Sequence, residues 1–114
     1  MLLQILKIVA AVGTIATGFV SLLWPQSVTG FTGLSAPGPR GITEIRAVLG
    51  GLFIGIGAAP FILNNNVAAY RMMGIMYLAI AVARAVSIVI DKSAEQSNII
   101  SLVVEIIFGA ILVL

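Results

Sequence analysis

Four long apolar runs, separated by short polar segments, leave this chain little choice of fold. Residues 5–24, ILKIVAAVGTIATGFVSLLW, carry a single charge, Lys7. Similar runs occupy about 43–63, 67–90 and 98–114. About 20 mainly apolar residues carry an α-helix across a ~30 Å hydrocarbon core, and ~17 is near the lower limit. Inside lipid every backbone polar group needs an internal partner, so such runs become helices. The expected fold is all-α: one transmembrane domain over residues 1–114, a four-helix bundle in up-down-up-down order. Composition decides against a soluble alternative. The chain is 61% hydrophobic and only 9% charged, where soluble domains average about 45–50% and about 25%.

The ends of the runs are marked. Lys7 is near enough to a membrane face to snorkel. Trp24 suits the headgroup level, and Pro25 stops the first helix. No basic segment precedes this run, so it reads as a retained span rather than a cleaved signal. Residues 25–41, PQSVTGFTGLSAPGPRG, form the longest loop. In it Val28, Phe31 and Leu34 recur every third residue, a spacing that allows a short interfacial helix. Asn64–Asn66 read as a tight polar turn, and DKSAEQSN, 91–98, as the third loop.

The charges exclude several functions. Six basic and four acidic residues give a net charge of +2 with no Lys/Arg cluster, so no nucleic-acid partner is expected. The chain has no Cys and no His. Thiol redox chemistry, zinc sites of the usual ligand sets and His-based acid–base catalysis are therefore closed to it. No metal, cofactor or catalytic residue is expected.

Where the remaining charges fall is more informative. Arg84 lies seven residues before Asp91, ~10 Å deep at about 1.5 Å per residue. Glu105 lies seven residues after Asn98, at the same ~10 Å from the same membrane face. Arg84, Ser87 and Asp91 share a helical stripe with Tyr77; Asn98, Ser101, Glu105 and Gly109 share another. Facing each other, the stripes would spare both charges from lipid, and a guanidinium fork fits a carboxylate. The second span opens with Glu44 and Arg46, about 200° apart on an α-helix. Glu44 heads a thin face with Gly51, Gly55 and Ala58; Arg46 heads one with Gly50, Phe53 and Gly57. Glu44 can also serve the amides of the helix start. The expectation is one polar network of Glu44, Arg46, Arg84, Asp91 and Glu105. Gly51 and Gly55 are expected at a helix–helix contact through their Gly-x-x-x-Gly spacing. Thr14, Thr17, Gly18 and Ser21 are expected to pack on the first helix.

The segments GFTGL, EIRAVLGGLFIGIG and ARAVSIVID, with a Glu inside the last span, resemble a family of small bacterial four-helix membrane proteins classed as a domain of unknown function. The likeness covers nearly the whole chain. The family's Glu-x-Arg pair falls on Glu44 and Arg46, and its Arg-to-Asp segment on Arg84 and Asp91. The resemblance implies a four-helix bundle with broader similarity to DoxX-like proteins, and no activity.

Three functions compete. Minimal loops and small-residue faces suit a scaffold or accessory subunit of a larger membrane assembly, a homo-oligomer included. A small-ligand or proton-coupled carrier would use Glu105 and Arg84. A lipid- or quinone-modifying enzyme would need acid–base groups the chain scarcely offers, so a non-enzymatic role is expected. The expected location is a bacterial cytoplasmic membrane. The acidic third loop and long first loop favour cytoplasmic termini, although loop Lys/Arg numbers are balanced.

Overall fold

The computed structural model describes residues 1–114, and they are helical almost throughout. Helix α1 spans Leu2–Leu23, α2 Pro25–Thr32 and α3 Pro39–Glu44. A π-helical stretch, Ile45–Leu52, follows without a break and leads into α4, Phe53–Ile62. Helices α5, Val67–Asp91, and α6, Gln96–Val113, complete the chain. Four helical segments are long and apolar enough to cross a membrane: α1, the continuous Pro39–Ile62 segment, α5 and α6. Their outward side chains support that environment. Ile75, Val82 and Val89 are 63%, 66% and 78% exposed, an apolar surface that water would not tolerate and lipid does. The protein is an integral membrane protein of the all-α, four-span class.

The second span begins four residues earlier than its apolar pattern suggests. Pro39 takes the first helical turn, where its fixed φ and missing N–H cost nothing. The short helix allowed in the first loop is α2, likewise opened by a proline, Pro25. Val28 is buried in it, while Phe31 and Leu34 are exposed. Gly33 then ends α2 at φ +74°, a left-handed conformation that favours glycine.

The chain forms two compact units, Ala11–Asn64 and Met1–Ala10 with Asn65–Leu114. In the first, the latter part of α1 packs against the second span at backbone distance. A Cβ on Gly18 would stand 2.7 Å from the Gly50 carbonyl oxygen, and one on Gly57 2.9 Å from that of Ala11. A Cβ on Gly50 would press on Leu22 at 3.0 Å. The pairs run in opposite directions, so the two segments are antiparallel. Gly18, Thr14 and Ser21 pack as expected, but Thr17 is exposed and its hydroxyl donates to the Gly13 carbonyl at 2.9 Å.

Gly51 and Gly55 are not at this contact. A Cβ on Gly55 meets nothing within 4 Å, and one on Gly51 only the Arg46 carbonyl at 3.9 Å. The contact uses the other thin face, Gly50 and Gly57. Close approach needs a missing side chain on either helix, and Gly18 supplies it from α1. A Gly-x-x-x-Gly ridge on the second span is therefore unnecessary there. The π-stretch also shifts the phase: its i→i+5 bonds turn each residue by less than the ~100° of an α-helix.

In the second unit α5 and α6 pair antiparallel. Gly74 faces Leu112 and Val113, and Gly109 faces Leu78. Tyr77 meets Phe108 edge-on, ring centroids 5.6 Å apart at 87°, a favoured aromatic geometry. The turn before α5 gives each asparagine a separate task. Asn64 and Asn65 hold φ of 57° and 59°, which asparagine tolerates better than most residues. Asn65 Oδ1 accepts from the Tyr70 hydroxyl at 2.9 Å. Asn66 caps α5, its Oδ1 accepting from the amides of Ala68 at 2.8 Å and Ala69 at 3.3 Å. Asn66→Ala is expected to cost about 1 kcal/mol of stability, measurable as a lowered unfolding midpoint in detergent; Asn66→Ser or Asn66→Asp should keep most of it.

Candidate functional site

Arg84 and Glu105 meet inside the α5–α6 pair. Arg84 Nε donates to Glu105 Oε1 and Nη2 to Oε2, both at 2.8 Å. The remaining terminal nitrogen, Nη1, donates to Asn98 Oδ1 at 2.8 Å. Asn98 in turn donates from Nδ2 to the Ser93 carbonyl at 2.9 Å and to Ser93 Oγ at 3.2 Å. The chain of bonds thus runs from mid-α6, across to α5, back to the first turn of α6 and into the connecting loop. Glu105 keeps only 10% of its side-chain surface exposed and Arg84 31%.

The local sequence explains the placement. On α5 the buried stripe is Tyr70, Met73, Gly74, Tyr77 and Ala81, and Arg84 continues it. On α6 Glu105, Gly109 and Leu112 are buried, with Asn98 and Ser101 partly covered. Both stripes hold i, i+3/i+4, i+7 spacing. Glycines at 74 and 109 bring the helices close enough for the fork to close directly on the carboxylate. A bidentate, charge-assisted pair of this geometry is among the stronger polar contacts available to a protein.

The other expected members of the network have different partners or none among the ion pairs. Glu44 pairs with Arg40, four residues earlier on the same helix, and both side chains are well exposed. Because the helix starts at Pro39, Glu44 is one turn inside it rather than at its opening amides. Arg46 is exposed and makes no ion pair. Asp91 is exposed at the last residue of α5, beyond which Lys92 turns left-handed at φ 52°. Ser87 is exposed as well. Lys7 is buried, 6% exposed, so its stem is covered by protein instead of running along lipid. Asn98 and Ser93, absent from the expected network, are its real third and fourth members. Asn98 was legible as part of the α6 stripe; nothing in the sequence singles out Ser93.

The chain matches, over residues 2–114, the family described as "Domain of unknown function (DUF4345)". It belongs to that family. No curated protein and no solved structure matches it significantly. For this DUF4345 protein the geometry of the site must therefore carry the functional reading. In that geometry each of the three guanidinium nitrogens has an acceptor and each carboxylate oxygen has a donor. No cluster of His, Cys, Asp or Glu suited to a metal is present.

Proposed function

We propose that this protein is a scaffold or accessory subunit of a larger membrane assembly, and that Arg84–Glu105 is the clamp holding its last two spans in register. The bidentate pairing of Arg84 with Glu105 is the observation that carries the reading. Both Glu105 oxygens and three of the five Arg84 N–H donors are committed within the α5–α6 pair and to Asn98. Buried ionic groups are best attested as devices that fix register. The open glycines Gly51 and Gly55 support the assembly half of the proposal, because small residues on an outward helix face let another helix approach closely.

A carrier working through Glu105 and Arg84 stands second, since it would have to break the bidentate pair in every cycle. A lipid- or quinone-modifying enzyme stands third, having no placed nucleophile. The rest of the proposal is one domain over residues 1–114, distant kinship with DoxX-like proteins, and a bacterial cytoplasmic membrane with both termini inside.

Native extraction in mild detergent tests the assembly directly. The expected result is a homo-oligomer or a stoichiometric complex, with Gly55→Leu reducing assembly while leaving the monomer's helical content intact. A monodisperse monomer without partners, in native lipid, would contradict it.

A further inference from the structure

The start of the second span frames an open depression of about 500 Å³. Ala36, Pro37, Gly38, Pro39 and Ile42 give it an apolar lining, and its polar members are Thr43 and Arg46. The Thr43 hydroxyl is already used, donating to the Pro39 carbonyl at 3.1 Å. Arg46 is not: its side chain is exposed and makes no ion pair. The nearest carboxylate in sequence, Glu44, is held by Arg40. An uncompensated guanidinium thus stands on a membrane-spanning helix, beside a depression lined mainly by apolar side chains.

We infer that this depression binds the headgroup of an anionic phospholipid, with Arg46 on its phosphate. Arg46 lies seven residues beyond Pro39, ~10 Å along the axis. Its long apolar stem can carry the guanidinium back toward the headgroup level. The preceding segment carries exposed Trp24 and Phe31, residue types that settle at that level. A cation this close to hydrocarbon is stabilised by an anion brought to it, and a planar guanidinium matches phosphate oxygens two at a time. The apolar lining decides between the sources of phosphate. Proline, alanine and isoleucine side chains gain nothing from an inorganic ion, but they can cover the glycerol backbone and the first methylenes of a lipid.

Native mass spectrometry of the full chain, supplied with phosphatidylglycerol or phosphatidylcholine, reads the binding. The wild type is expected to retain phosphatidylglycerol preferentially. Arg46→Gln should lower that retention on the order of tenfold, as expected for loss of a charge-assisted bond, and Arg46→Lys should restore part of it. Gly38→Leu provides a second test with the charge intact. The backbone there is extended, at φ −163°, and a Cβ meets nothing within 4 Å, so the fold accommodates a leucine at the rim of the depression. Its retention should fall too. Millimolar inorganic phosphate should not displace the lipid. Equal retention of the two lipids by the wild type would overturn the inference. So would undiminished retention by Gly38→Leu or by a folded Arg46→Gln, and displacement by free phosphate would mark a small-anion site instead.

Discussion

Arg84→Met is expected to destabilise the protein by on the order of 3 kcal/mol, the scale on which removing one partner of a buried pair acts. The loss has two parts. The fork's bonds to Glu105 and Asn98 disappear, and Glu105, nearly covered by protein, is left without a counter-charge. Polar contacts in membranes average only about 0.6 kcal/mol in double-mutant cycles, because the unfolded chain in lipid finds other partners. This pair should exceed that average, since it is bidentate and one partner is almost fully buried. Arg84→Lys should recover little, because an ammonium cannot reach both carboxylate oxygens and Asn98 together. The readout is the unfolding midpoint in detergent, with the helicity of each variant checked beforehand.

Gly18→Leu should be damaging on a comparable scale. Its Cβ alone would lie 2.7 Å from the Gly50 carbonyl oxygen and 2.8 Å from the Ile54 amide nitrogen. Neither is a flexible side chain, so α1 and the second span must separate. Overpacking of this kind typically costs about 1–3 kcal/mol, occasionally more. Gly57→Leu should behave alike, pressing on the Ala11 carbonyl and the Ile15 amide. Gly55→Leu is the control, since its Cβ enters open space, and the isolated chain should keep its unfolding midpoint. Equal damage from Gly18→Leu and Gly55→Leu would contradict this packing.

These two sites differ in how far the sequence alone could reach them. The Arg84–Glu105 contact follows from counting residues along α5 and α6, both unbroken α-helices of regular rise and phase. Depth and direction could then be computed from residue numbers. The second span does not permit this. Its π-stretch, Ile45–Leu52, leaves no mark in apolar spacing, yet it rotates everything beyond it relative to everything before. Which of the two thin faces meets α1, Gly50 with Gly57 or Gly51 with Gly55, is therefore not readable from residue numbers. The start of the span is obscured for another reason: the Gly- and Pro-rich residues before Ile42 resemble loop, although Pro39 opens the helix. Starting the helix at Pro39 puts Arg40 and Glu44 four apart on one face, where opposite charges meet. Glu44 then belongs to Arg40, and Arg46 is left as the uncompensated charge of that segment.

A double-mutant cycle on Arg84 and Glu105, followed by reversible unfolding in detergent, tests the clamp most directly. Arg84→Met and Glu105→Leu are each expected to destabilise. The double variant should be more stable than the sum of the two losses implies, with a coupling of about 0.5–3 kcal/mol, the range found for residues in direct contact. Single effects that simply add, or an Arg84→Met variant as stable as the wild type, would contradict the clamp.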